Sequence, residues 1–167
     1  MTDPRHRFDD LTRELQDSIC LLLEARRVRA ALILILASVD ILGALDASDG
    51  HASRTSFLRW ADRYIDPQSL RCESIDLYSA RCGMLHAMAA ETDLSANGRA
   101  ATIVWMSEPN TIPEPTANPK IRVIHVGAIW VAFRDGVKRF AQELESDPDR
   151  MAVVAKNLAG TYATRLL

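Results

Sequence analysis

The sequence predicts a mainly α-helical fold, an up-and-down helical bundle carrying a small two-stranded β-ribbon insertion. Three observations predict it. Apolar residues recur at three- and four-residue spacing over most of the chain. β-branched runs are confined to two short segments late in it. The composition, 48% hydrophobic and 25% charged over 167 residues with 7 Gly and 7 Pro, is that of one compact domain with a sizeable core. It excludes collagen-like, low-complexity and wholly disordered chains. Residues 1–167 therefore read as a single helical domain, with residues 99–126 as the β-ribbon insertion and its Pro-rich loop.

Phe8, Leu11, Leu15, Ile19 and Leu22 form one stripe and predict an amphipathic helix to about Leu23. The charged patch Glu24-Ala25-Arg26-Arg27-Val28-Arg29 follows, and Ala30 to Leu45 is then apolar almost all round, as a central helix should be. No Gly or Pro separates the two, yet one unbroken helix would be long for a globular domain, so a turn is expected near Glu24 to Arg27. Gly43 and the polar run Asp46 to His51 end this element. Ser53 or Thr55 caps a short helix with Phe57, Leu58, Ala61, Tyr64 and Ile65 on its apolar face, stopped by Asp66-Pro67. A further helix starts near Ser74 and runs to about Ala90. Ala101 to Met106 and Ile121 to Val126 read as strands, and Pro109, Pro113, Pro115 and Pro119 make the connection an irregular loop, so the pair is a ribbon with a long tip lying against the helices. Trp130, Phe133, Val137, Phe140 and Leu144 share one helical face, and Asp147-Pro148 opens a last helix.

Twenty basic residues against 22 acidic ones give a net charge of −2, so any contact with nucleic acid must be local. The split into 17 Arg and 3 Lys, with 23 Ala, reflects genome composition. Cys20, Cys72 and Cys82 are an odd number without a C-x-x-C, against a disulfide framework or structural zinc and in keeping with a reducing cytoplasm. Ala30 to Leu45 spans 16 residues and contains Asp40, short of the roughly 20 apolar residues of a membrane span, so it reads as a buried core helix. The N-terminus lacks the basic-then-apolar order of a secretory signal, and a cytoplasmic location is expected.

On the helix from Ser74, residues Ile75, Tyr78, Cys82, Leu85 and Ala89 make a narrow apolar stripe of the kind that core packing explains. Arg81 and His86 flank that stripe from opposite sides on a regular helix. Either a local distortion permitted by Gly83, or a two-fold contact through the stripe, is needed to bring them together. The run Asp76-Leu77-Tyr78-Ser79-Ala80-Arg81-Cys82-Gly83-Met84-Leu85-His86 resembles the R-x4–6-H motif of HEPN domains, and the resemblance extends over roughly residues 8–146. The resemblance implies an up-and-down bundle, homodimerisation with two motifs facing one cleft, and a metal-independent endoribonuclease of toxin or defence type. Such an enzyme works by attack of the ribose 2′-hydroxyl, leaves a 2′,3′-cyclic phosphate, and needs no cofactor. A partner protein such as an antitoxin belongs to the same expectation. The position after Arg81, often polar in that family, holds Cys82. Many family members are inactive, so the alternative is a non-catalytic helical interaction or scaffold module in which Arg81 and His86 stabilise the bundle or dimer.

The chemistry fits the residue types. His86, with an ordinary pKa of about 6.5, moves a proton near neutral pH. The planar fork of Arg81 binds phosphoryl oxygens and stabilises charge growing on them. Asp40, interrupting an apolar helix, needs a partner: either an Arg in a plain intramolecular pair, or Arg81 or His86, which it would then orient. Cys82 and His86, four apart, stand either as a thiol–imidazole pair or with Cys82 as a buried structural thiol. Arg26, Arg27 and Arg29 are contacts for RNA phosphates or a solvated helix end. His6, His51 and His125 have no ligand-like spacing, so no metal is expected, and no P-loop or G-x-G-x-x-G occurs.

Overall fold

A computed structural model describes residues 3–86, 89–108 and 116–160, with His86 and Gly160 described by backbone alone. The prolines Pro109, Pro113 and Pro115, expected in the irregular loop, lie outside the described residues. Helix α1 runs Pro4–Glu24, a turn earlier than its apolar stripe suggests, because Asp3 caps it by accepting the Arg5 N–H at 3.0 Å and Pro4 sits at the first position. The expected turn follows. Arg26 adopts a left-handed conformation (φ 56°), its N–H donates to Leu23 at 3.0 Å, and the Arg27 N–H reaches back to Leu22 at 2.7 Å. This is a Schellman ending with Arg in the place usually held by Gly.

Helix α2 (Val28–Leu45) is long and apolar enough to cross a membrane by length and composition. In the fold it is the central helix, touched by α1, by α3 (Arg54–Trp60), by α4 (Ser74–His86), by α6 (Val126–Ser146) and by α7 (Pro148–Gly160). Ser53 and Ser56 form a capping box at the start of α3. A π-helical turn, Ala61–Ile65, continues α3, and Asp66 in a left-handed conformation ends it before the 3-10 turn Pro67–Leu70. Gly136 of α6 lies directly against that π turn, since a Cβ there would stand 2.6 Å from the Tyr64 carbonyl oxygen, which also accepts from Arg139. The aromatic core sits at this crossing: Trp60, Tyr64, Phe133 and Phe140 are fully buried, and Phe8 of α1 meets Phe140 edge-on at 5.5 Å. A short helix, α5 (Asp93–Ala96), precedes the sheet.

Strands β1 (Thr102–Met106) and β2 (Ile121–His125) form a two-stranded sheet in which they run parallel, Thr102 opposite Ile121 and Met106 opposite His125. The expected ribbon therefore exists, but its connection is a return crossing and not a hairpin tip, because parallel strands need the chain carried back to the starting end. Val126 belongs to α6 and not to the strand, with the His125 ring accepting the Gly127 N–H at 3.0 Å as its cap.

Arg150 locks α7 to the rest. Its side chain forks onto Asp46 at 2.6 and 2.7 Å, reaches Glu143 at 2.7 Å and donates to the Tyr64 hydroxyl at 2.6 Å. The Tyr64 hydroxyl in turn donates to Glu143 at 2.5 Å. Burial pushes the Glu143 pKa up, but hydrogen bonds from Tyr64 and Arg150 outweigh it, and the carboxyl sits below its ordinary value. A depressed carboxylate contributes stability that is present above its unfolded pKa of about 4.3 and is lost as the pH falls through the folded value. Urea midpoints of wild type and Glu143→Gln should therefore differ at pH 6 and converge towards pH 3. A gap that stays constant over that range would contradict the assignment.

Candidate functional site

The buried Asp76 anchors the start of α4. It accepts the Glu73 N–H at 3.0 Å and the Ala101 N–H at 2.6 Å, so the helix start and the chain entering β1 are tied together. The face of α4 turned inward consists of Asp76, Leu77, Ser79, Ala80 and Gly83. This corrects the sequence reading, in which the stripe Ile75, Tyr78, Cys82 and Leu85 packs into the core. Ile75, Tyr78 and Cys82 are half-buried, and Leu85 is 37% exposed. The physical reason is close approach: small residues let α4 sit near its neighbours, and the bulkier stripe is left at the edge.

Helix α4 is described to His86, residues 87–88 lie outside the described residues, and Ala89 and Ala90 are no longer helical, so the helix stops short of Ala90. The chain then turns back over the helix. The Ala89 N–H donates to the Gly83 carbonyl at 3.1 Å, and a Cβ on Gly83 would stand 2.3 Å from the Ala89 oxygen. Gly83 thus serves to admit the returning backbone, and α4 stays α-helical through it, so of the two ways offered for bringing Arg81 and His86 together the local distortion at Gly83 is not the one taken. Thr92 fastens the return, with its hydroxyl 2.5 Å from that of Ser79. His86 stands at the head of this reversal, and its side chain lies outside the described residues.

Asp40 meets Arg81, one of the partners expected for it. The Arg81 guanidinium donates from Nε and Nη2 to Asp40 Oδ2, and the two side chains are 20% and 9% exposed. Burial pushes the Asp40 carboxyl above its ordinary range and Arg81 opposes that shift; burial likewise lowers Arg81, but the Asp40 carboxylate more than restores it. The pair is not isolated. Arg81 lies 6.0 Å from the Tyr78 ring centre and Arg54 lies 5.9 Å from the same centre. Burial first, and then the neighbouring Cys82, push the Tyr78 hydroxyl above its ordinary pKa. Cys82, four residues on from Tyr78, is a half-buried free thiol beside this cluster and not a core thiol. Tyr78 was read from the sequence only as part of the apolar stripe and not as a site residue; its place between two cations had a signal in its three-residue spacing to Arg81.

Neither other thiol is held as a thiolate: the Cys20 pKa is raised, first through its hydrogen bond to Glu24. Cys72 is buried and its pKa is pushed up to about 12, by burial first and by Asp76. Among the described residues no group of three or more His, Cys, Asp or Glu could hold a metal ion.

Beside the C-terminal end of α4 lies a groove of about 740 Å³ between the start of α2 and β1. Its floor is Leu32, Ile33, Met84 and Trp105, and Arg26, Arg27 and Arg29 stand along it. A recess of about 190 Å³ shares Arg29, Met84, Ile103 and Trp105 with it. Arg81 lines neither. The sequence reading named the arginines but not the strand they face. No protein-family model, no curated protein and no solved structure matches this chain.

Proposed function

We propose that this chain is a HEPN-like, metal-independent endoribonuclease that acts as a homodimer, with Arg81 and His86 of two copies facing one cleft. The observation that carries the reading is the incompletely covered stripe of α4. Ile75, Tyr78 and Cys82 are only half-buried, Tyr78 resting one edge on Phe57, and Leu85 is exposed, all on the helix that bears Arg81 and His86. A second copy across a two-fold axis covers such a stripe and brings both pairs to the same seam. Asp40 is then a positioning residue that fixes the Arg81 guanidinium at the edge of that seam.

In this reading His86 removes the proton from a ribose 2′-hydroxyl. The 2′-oxygen attacks the adjacent phosphorus, the bond to the 5′-oxygen breaks, the leaving oxygen takes a proton, and a 2′,3′-cyclic phosphate remains. Arg81 stabilises the charge growing on the phosphoryl oxygens. The toxin or defence role and an antitoxin partner come with the resemblance, and the three free cysteines suit a cytoplasmic setting.

One observation favours the second reading, a non-catalytic interaction module: the closed pairing of Arg81 with Asp40, away from both recesses. Incubating the protein and its His86→Ala variant with total RNA and tRNA in excess EDTA separates the two. The expected result is fragments with cyclic-phosphate ends from the wild type and at least a roughly hundredfold loss in the variant, with its far-ultraviolet circular dichroism unchanged. No cleavage by either well-folded protein across several RNAs would overturn the ribonuclease reading and turn the search to a binding partner of the interaction module.

A further inference from the structure

Ile103, Val104 and Trp105 are consecutive in β1, yet all three line the groove beside α2. Successive side chains of a strand point to opposite faces of the sheet, so a cavity touching three in a row runs along the strand's edge. That edge is the one away from β2. Among the described residues the backbone of 103–106 makes no hydrogen bond outside the sheet, and Val104 is 47% exposed beside it. An unpaired edge with an apolar margin is a template for another strand.

The charge of the groove says what kind of strand. Among the described residues, Arg26, Arg27 and Arg29 make no ion pair and none of the residues lining the groove is acidic. In a chain of net charge −2 this is a local concentration of positive charge. Arg26 moreover occupies a left-handed position (φ 56°) where Gly is the unstrained choice, so the turn itself gains nothing from its side chain.

We propose that this groove binds an extended segment of a partner protein in which acidic and apolar residues alternate. The segment adds a strand to the free edge of β1, sets its apolar side chains on Ile33, Met84 and Trp105, and places its carboxylates on the three arginines. RNA would supply anions and a base to stack on Trp105, but it has no backbone ladder to match the strand edge, and the floor is largely aliphatic. Arg81 does not line the groove and the argument draws on neither Arg81 nor His86, so the proposal stands or falls without the ribonuclease reading.

The test is a selection of displayed random segments of about ten residues against the full chain, followed by fluorescence anisotropy of the enriched peptides. Enrichment of alternating Glu or Asp with Val, Ile or Leu is expected. Methylating alternate backbone nitrogens of such a peptide should weaken binding at least about thirtyfold, because it removes the donors that pair with β1. Arg29→Glu should weaken it at least about tenfold, and Arg26→Gly roughly threefold without lowering the Tm, which keeps a folding defect from imitating the result. The proposal is overturned if no segment is enriched, if enriched segments lack acidic residues, if backbone methylation has no effect, or if a short oligouridylate competes on equal terms and marks the groove as a nucleic-acid surface.

Discussion

Replacing Arg150 by Met lowers the unfolding free energy by about 3–5 kcal/mol, the range found when one member of a buried charge network is removed. Arg150 is only 16% exposed and, among the described residues, is the one cation that reaches Asp46, Glu143 and the Tyr64 hydroxyl together. Without it Asp46, itself 10% exposed, is left as a carboxylate facing an apolar side chain. Arg150 also stacks its guanidinium 5.2 Å from the centre of Phe140, so packing is lost along with charge. Since a domain of this kind is stable by about 5–15 kcal/mol in all, the variant should be largely unfolded at modest urea concentrations. Arg150→Lys keeps the charge but cannot fork, and should fall between wild type and Arg150→Met. Urea denaturation of the three proteins reads the ordering; a loss under about 1 kcal/mol for Arg150→Met would show that solvent, and not Arg150, satisfies the network.

Asp40→Asn should cost about 3 kcal/mol, the lower end of the same range, because Arg81 keeps 20% exposure and can turn in part towards water. Replacing both partners together, Asp40→Leu with Arg81→Met, should recover most of that loss, since the buried cation is removed along with its counter-ion. Cleavage separates positioning from plain structure. If Asp40 positions Arg81 for phosphate, Asp40→Asn lowers cleavage and the double variant, though refolded to near wild-type stability, abolishes it. Equal cleavage by the stable double variant and the wild type would remove Arg81 from the chemistry.

Much of the helical frame was legible in the sequence because its signals are local. Ser53, Asp66-Pro67 and Asp147-Pro148 mark boundaries through their own backbone chemistry. The turn between α1 and α2 was inferred from length alone, because Arg26 takes the conformation that a glycine would have advertised. Asp40 was legible as a misfit in an apolar helix, and Arg81 is one of the partners it was expected to meet. The inward face of α4 was not legible. Apolar periodicity measures bulk, whereas that face, Leu77 apart, is built from Ala80, Gly83, Ser79 and Asp76, whose burial depends on how near the neighbouring backbone comes. The direction of β2 was hidden for a different reason: a β-branched run reads the same for parallel and antiparallel pairing. The groove draws on three separated stretches of chain, and only its arginines leave a trace in any one of them.

The parallel pairing of β1 with β2 also orders events in time. A hairpin zips outward from its turn, but here residues 107–120 must be brought round before the first inter-strand bond forms, and that loop-closure entropy is not repaid locally. The contacts that hold the strands in place, Asp76 to Ala101 on one side and the run of β2 into α6 on the other, exist only once the helices have docked. The sheet is therefore expected to assemble late and to open at lower free energy than the bundle beneath it, and hydrogen exchange should find its amides exchanging while those of α2 stay protected. A partner strand laid along β1 would be bound by the part of the molecule that its arrival most stabilises, so occupancy of the groove and slow exchange of the sheet are two measures of one equilibrium.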